Sequence, residues 1–119
     1  MHVQQLRAPG NVPNVVGGEG SLTRLRREVV LELDGELDVA TAAAAYKRMI
    51  ERRLPRGGRL VLDLSEITFM DSTGIRLILQ AREHALKHDA GLVVVRPPDE
   101  AMHVLELVGL DEQLDFVDP

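Results

Sequence analysis

The sequence predicts a single α/β domain, in which a mixed β-sheet of about four to five strands is built from βαβ crossovers. Strand-like apolar segments recur along the chain, and the longer ones are followed by segments whose apolar residues have helical spacing. That alternation is typical of parallel strands connected by helices. The length of 119 residues suits one hydrophobic core.

The first clear strand and helix lie within residues 28–54. In the segment EVVLELD, residues 28–34, every second side chain is apolar, which is the period of a half-buried strand, and Gly35 ends it. Asp38 is expected to cap a helix that runs to about Leu54. The apolar positions expected along this helix are Val39, Ala43, Tyr46, Ile50 and Leu54.

A second strand and helix follow. Residues 59–64 are rich in apolar side chains, which predicts a central strand. The next helix is expected to begin near Ser72 and to end at Lys87. The residues expected on its apolar face are Leu77, Ile78, Ala81 and Ala85.

The last elements are shorter. Gly91 precedes the apolar segment 92–95, which predicts a short buried strand. Pro98 suits the first position of a third helix, and Gly109 is expected to end that helix, with Leu110 making the apolar contact of a Schellman cap. Residues 113–117 are a candidate edge strand.

The N-terminal segment lacks this periodicity. Six of the first 20 residues are glycine or proline, so we expect a flexible arm over 1–20 and the folded domain over 21–119. Leu22 and Leu25 lie in a short segment that could form a hairpin with the strand at 28–34.

Composition excludes several classes of function. Without cysteine the chain can form neither a disulfide framework nor a thiolate site. The net charge of −5 argues against nucleic-acid binding. No apolar run approaches the ~18 residues of a membrane span, and the N-terminus lacks the apolar region of a signal peptide. We therefore expect a cytoplasmic protein without membrane insertion.

A polar cluster, Asp71-Ser72-Thr73-Gly74, stands where the central strand should give way to the second helix. Any one of Asp71, Ser72 and Thr73 could cap the unpaired N–H groups of the helix, so local structure alone can explain one of them. One cap is enough for a helix, so three candidate capping residues are more than the local structure requires. A helix N-terminus at the carboxyl end of a parallel strand is also where α/β proteins bind ligands or carry modified groups.

Enzyme chemistry fits the cluster poorly. Aspartic proteases use Asp-Thr/Ser-Gly, which is one residue shorter, and a serine hydrolase needs glycine where Met70 stands. His84 and His88 could bind a metal ion, but without a third ligand in register a solvated helix face is the preferred interpretation. Residues 17–20, GGEG, neither follow a strand nor open a helix, so they are not a phosphate loop. We expect no catalytic site, metal or cofactor.

Two segments carry a resemblance to a known family. LDGELDVATA, residues 33–42, and LVLDLSEITFMDSTGIRLIL, residues 60–79, resemble the two signature segments of the STAS domain. More narrowly, residues 21–117 are similar to bacterial anti-sigma factor antagonists. Such domains commonly add a C-terminal helix after the last strand and have a shorter N-terminal arm than this one; the sequence here ends at Pro119. The resemblance implies a small α/β domain that has no catalytic activity and binds an anti-sigma factor that is also a serine kinase, releasing the sigma factor.

The resemblance also implies roles for individual residues. Ser72 matches the serine that the kinase phosphorylates, which ends binding until a serine phosphatase restores it. The residues implied in partner binding are Gly35, Glu36, Asp38, Asp71, Thr73, Gly74, Ile75 and Arg76. A homodimer is a further expectation about partners. The alternative is a STAS scaffold or transport-complex subunit, in which Ser72 would be a helix cap only.

Overall fold

The computed structural model describes residues 2–7 and 28–119, which form a mixed five-stranded sheet and three α-helices. Along the chain these are β1 (His2–Arg7), β2 (Glu28–Leu37), α1 (Val39–Ile50), β3 (Arg59–Met70), α2 (Ser72–Lys87), β4 (Gly91–Val95), α3 (Asp99–Leu107), a 3-10 turn (Leu110–Glu112) and β5 (Asp115–Val117). The spatial order of the strands follows their order in the chain. Strands β2 to β5 are parallel, and β1 is antiparallel to β2, so the predicted fold class is confirmed.

The edge strand β1 was not predicted. His2–Arg7 belong to the segment expected to be a flexible arm, yet they pair with β2, for example His2 with Asp34. The hairpin expected from Leu22 and Leu25 lies outside the described residues, as does the rest of the arm.

The central strand β3 is six residues longer than predicted. Its side chains first alternate between buried and half-exposed positions up to Leu64, and then Ile67 and Met70 take over the buried positions. Its pairing with β2 shifts register twice and still continues to its last residue, where Met70 faces Leu37. Polar residues interrupt the apolar pattern after Leu64. A strand predicted from periodicity alone therefore ends at that residue. The extension places the start of α2 beside the start of α1.

Helix α1 begins after Asp38, as predicted, but it ends at Ile50 rather than near Leu54. The predicted apolar face is also wrong. Ala45 and Met49 are buried, whereas Val39, Tyr46 and Ile50 are exposed. The remaining predicted positions are Ala43, which is exposed, and Leu54, which is buried after the helix ends. Alanine contributes little to an apolar pattern, so the buried position of Ala45 was not apparent from the periodicity.

The other two helices agree better with the sequence. All four residues predicted for the apolar face of α2 are buried: Leu77, Ile78, Ala81 and Ala85. Pro98 lies immediately before α3, and Gly109 after it adopts the left-handed conformation, with φ of 79°. Leu110 is buried, as expected for the contact that closes such a helix end.

His84 does not lie on a solvated helix face, so that prediction is wrong. Its side chain is only 8% exposed. Nε2 lies 3.1 Å from the carbonyl oxygen of Arg52 and donates to it, which ties the chain after α1 to the C-terminal part of α2. His88 lies half-buried beside it, with Nδ1 2.9 Å from the carbonyl oxygen of His84. The pair therefore stabilises the fold at the end of the domain opposite the start of α2.

His84 should make stability depend on pH near neutrality. Burial lowers the pKa of His84 below its ordinary value of 6.5 and outweighs the hydrogen bond to Arg52, which acts in the opposite direction. The unfolded chain then binds the proton more readily than the folded chain. The contribution of neutral His84 is complete above pH 6.5 and is lost as the pH falls below it.

We expect the melting temperature to fall between about pH 7 and pH 5.5, and His84→Gln, which keeps a donor for Arg52, to reduce that fall. His88→Gln is the matched control and should retain it. An equally steep fall in His84→Gln would contradict the assignment.

Candidate functional site

Two helix N-termini lie side by side at the carboxyl edge of β2 and β3. Helix α1 follows β2 after one residue, Asp38, and helix α2 follows β3 after one residue, Asp71. Because Leu37 and Met70 are register partners at the ends of these strands, the two loops are held next to each other. The structure therefore brings the two segments of the resemblance, 35–38 and 71–74, together.

Asp71 is the cap of α2. Its Oδ1 accepts a hydrogen bond from the backbone N–H of Thr73 at 2.9 Å and one from the Thr73 hydroxyl at 2.6 Å. These bonds, that of the hydroxyl first, lower the pKa of Asp71, while the nearby Asp38 carboxylate acts in the opposite direction. Asp71 is therefore ionised at neutral pH.

Thr73 links the two loops. Besides donating to Asp71, its hydroxyl lies 3.3 Å from the carbonyl oxygen of Leu37. The side chain is half-buried, and its hydroxyl proton is shared between two acceptors, of which Asp71 is the nearer at 2.6 Å. Thr73 thus has a structural role, and its hydroxyl is poorly placed to accept a phosphoryl group.

Ser72 differs from both neighbours. It is the first residue of α2 and is exposed to solvent. Within the part of the chain that the structure describes, no hydrogen bond uses its hydroxyl. Of the three possible caps in the sequence, Asp71 performs the capping and Ser72 is left free.

Hydrogen bonds between side chains and backbone also hold the neighbouring loop, residues 35–38. Asp38 and Thr41 form a capping box, in which Asp38 Oδ1 accepts from the Thr41 N–H at 3.0 Å and the Thr41 hydroxyl oxygen accepts from the Asp38 N–H at 2.9 Å. The Thr41 N–H, followed by its hydroxyl, lowers the pKa of Asp38. Gly35 adopts φ of 77°, a conformation that glycine tolerates best, and Glu36 is exposed.

Gly74 is buried, so its part in the site is to permit close packing. A Cβ atom at this position would lie 2.2 Å from Met70 Cγ and 2.9 Å from Leu37 Cδ2. Only glycine lets α2 begin so close to the ends of β2 and β3. The expectation that Gly74 contributes to a partner surface stays a prediction, and any such contribution acts through the position of its neighbours.

The first turns of α2 expose a mixed surface. Ile75 is half-buried against the core, and Arg76 is exposed. Arg76 has no ion pair among residues 28–119. It is the cation nearest in sequence to Ser72, in a region that otherwise carries the carboxylates of Glu36, Asp38 and Asp71.

Two exposed apolar residues beside the loop were missed from the sequence. Val39, the first residue of α1, is 71% exposed, and Phe69, two residues before the cap of α2, is 51% exposed. The available signal was the change of spacing in β3 after Leu64, which turns Ile67 and Met70 inward and leaves Phe69 outside.

Two further observations concern metal binding and membrane insertion. In the described segments, no group of three or more histidine, aspartate or glutamate side chains is placed to hold a metal ion. No helix of those segments is long and apolar enough to cross a membrane.

The fold and the loop together define a STAS-type domain. A family model described as "Mlab, STAS domain" matches residues 21–118. The chain belongs to the STAS domain family, and the resemblance of the two signature segments is confirmed.

Curated relatives share a regulatory role. The anti-sigma-F factor antagonist RsfB of Mycobacterium tuberculosis is 32% identical over 83 residues, which cover 70% of this chain and 67% of the relative. The anti-sigma-B factor antagonist of Listeria monocytogenes is 27% identical over 82 residues, covering 69% of this chain and 72% of the relative. Both relatives are antagonists of anti-sigma factors.

Solved structures support the fold. The unphosphorylated anti-sigma factor antagonist SpoIIAA superposes with a TM-score of 0.61 and 21% identity, over 77% of this chain and 81% of that chain. The phosphorylated Bacillus SpoIIAA gives a TM-score of 0.60 and 20% identity, over 77% and 84% of the two chains. At this identity the likeness concerns the fold.

The packing of Gly74 gives a prediction about stability. Gly74→Ala should lower the free energy of unfolding by about 1–3 kcal/mol, because Met70 and Leu37 must move to accommodate the new Cβ. Gly91→Ala is the control, since its Cβ would lie at an ordinary 3.7 Å from the nearest atom. Thermal melting of both variants measures the difference. Equal melting temperatures would show that the close approach of α2 has no energetic importance.

Proposed function

We propose that this chain is an anti-sigma factor antagonist that binds a kinase-type anti-sigma factor and thereby releases a sigma factor. In this proposal phosphorylation of Ser72 ends the binding, and a serine phosphatase restores it. The observation that carries the proposal is the exposed Ser72 hydroxyl at the start of α2, free of any capping role because Asp71 performs it.

The charge around Ser72 supports a switch at this residue. A phosphoryl group adds about −1.5 to −2 charges. The N-terminus of α2 tolerates that charge, since the helix dipole favours an anion there, so the domain should stay folded. However, the added dianion would lie beside the ionised Asp71 and near Asp38. A partner covering Ser72 would have to desolvate this concentrated negative charge, which weakens binding.

The proposed partner surface comprises the loop at 35–38, the segment at 71–74 and the first turn of α2. Hydrogen bonds of Asp38, Thr41, Asp71 and Thr73 hold both loops in place, which supports a preformed surface. Binding then costs little conformational entropy. Ile75 and Arg76 lie at the edge of this surface as candidate contacts.

The proposed activity requires no catalysis by this chain. The partner kinase transfers the γ-phosphoryl group of ATP to the Ser72 hydroxyl and releases ADP, and the phosphatase hydrolyses the phosphoserine to serine and inorganic phosphate. The antagonist itself contributes recognition and an acceptor hydroxyl. The chain would act in the cytoplasm.

A STAS scaffold or transport-complex subunit is the second candidate function. The exposed Val39 favours it, because an exposed apolar side chain of this kind suits a permanent protein interface that does not depend on a phosphoryl group. Under that candidate, changes at Ser72 leave partner binding unaltered.

Variants of Ser72 separate the two candidates. We expect Ser72→Ala to bind the purified kinase-type anti-sigma factor of the source organism at least as tightly as the native chain, and to incorporate no phosphate with ATP. Ser72→Asp, which adds one charge, should bind about tenfold or more weakly. Both variants should melt within about 3 °C of the native chain, since Ser72 is exposed and caps nothing.

The matched control is Ser72→Asn, which has nearly the size of the aspartate variant without its charge. It should bind more tightly than Ser72→Asp. Equal affinities of the native, alanine and aspartate chains would leave the scaffold as the better candidate.

Arg76 tests the placement of the surface. Arg76→Glu should weaken binding of the same anti-sigma factor about tenfold, with the fold intact because the side chain is exposed and unpaired among residues 28–119. Arg53→Glu makes the same change in net charge after the C-terminus of α1, at the opposite end of the sheet, and should bind normally. Unchanged affinity of Arg76→Glu, with a footprint mapped elsewhere, would contradict the placement.

A further inference from the structure

A groove of about 610 Å³ lies between the end of β3 and the start of α3. Its apolar walls are Ile67, Phe69, Met70, Pro98, Ala101 and Val104. Ile67, Met70 and Ala101 are buried and belong to the core, so the floor of the groove is rigid. Phe69 and Pro98 are exposed and form its upper walls.

Phe69 is the most exposed aromatic residue of this chain. The whole sequence contains two phenylalanines, one tyrosine and no tryptophan, and Phe69 is 51% exposed, against 37% for Tyr46. Aromatic side chains at the edge of a pocket are the kind that dominates the binding energy of protein interfaces. The backbone of Phe69 is held at a defined position, because it pairs with Glu36 of β2.

The rim of the groove is acidic. Asp99 and Glu100 occupy the first turn of α3, line the groove and are exposed. Neither carboxylate has an ion pair in the segments described. The helix dipole explains why the fold tolerates them there, but it leaves their charge available to a partner. An apolar floor with an acidic rim is complementary to an apolar side chain flanked by lysine or arginine.

The groove adjoins the segments that carry the surface around Ser72. Met70 lines the groove and directly precedes Asp71, and Glu36, the register partner of Phe69, belongs to the neighbouring loop. A protein that covers Ser72 therefore reaches the groove without leaving the surface.

We propose that this groove receives an apolar side chain of the anti-sigma factor, with an adjacent lysine or arginine of that protein bound to Asp99 or Glu100. The inference rests on the proposed function and extends it. Contact with the Phe69 ring involves no charge, so its contribution to the affinity does not depend on the charge at Ser72. The groove thus provides recognition of the partner, and Ser72 provides the switch.

The test is a double-mutant cycle in which binding of the purified kinase-type anti-sigma factor is measured. Phe69→Ala should lower affinity about tenfold or more. The same factor should appear in the native and the Ser72→Asp backgrounds, because recognition and switch act independently. Glu100→Lys should also lower affinity and reduce the dependence of binding on salt.

Two controls lie on the same helix as the rim. Leu107→Ala truncates a side chain that is 72% exposed but does not line the groove, and Glu106→Lys reverses a charge outside it. Both should bind as the native chain does. Melting temperatures verify that each variant is folded.

Three results would overturn the inference. First, Phe69→Ala could bind within about twofold of the native affinity while Ser72→Asp binds more weakly. That result would contradict a role of the groove in partner binding and would leave the proposed function standing. Second, if the native chain bound no kinase-type anti-sigma factor of the source organism, both the role of the groove and the proposed function would be contradicted. Loss of self-association in Phe69→Ala, measured by sedimentation with kinase binding unchanged, would assign the groove to a second copy of this chain.

Discussion

The contact among Leu37, Met70 and Gly74 is the constraint on which the rest of the site depends. Leu37 and Met70 end two neighbouring parallel strands, and the missing Cβ of Gly74 lets α2 start directly against both side chains. Both helix N-termini are consequently brought to one edge of the sheet. Core packing of this density leaves little freedom of position, so the loops inherit their geometry from the interior.

Capping by aspartate gives this edge its chemical character. Asp38 and Asp71 each accept hydrogen bonds from a threonine three or two residues later, and these bonds keep both carboxylates ionised. The caps make the loops rigid without using Ser72. A free hydroxyl on a preformed, negatively charged surface can change the local charge greatly when it is phosphorylated, while the fold beneath it stays intact. The hydrogen bonds that stabilise the two loops therefore also hold the proposed partner surface in place.

The differences between prediction and structure have identifiable physical causes. The buried face of α1 was assigned to Val39, Tyr46 and Ile50, because large apolar residues dominate a periodic pattern. In the structure the helix instead buries Ala45 and Met49. His84 was assigned to solvent because a polar residue on a helix usually faces water. Its hydrogen bond to Arg52, more than thirty residues away in the chain, compensates for its burial.

The sequence by itself determined the α/β class, the starts of α1 and α2, Asp38 as a cap, the family and Ser72 as the candidate site, although β2 continues past Gly35 to Leu37 and β3 past Leu64 to Met70. All of these depend on local signals: periodicity, capping chemistry and the spelling of two short segments. Only the tertiary structure decided which of Asp71, Ser72 and Thr73 caps α2, that Gly74 is buried, and that Phe69 borders a groove with α3. These outcomes depend on contacts between segments distant in the chain, such as Leu37 with Thr73, and no local pattern encodes the distance between such segments.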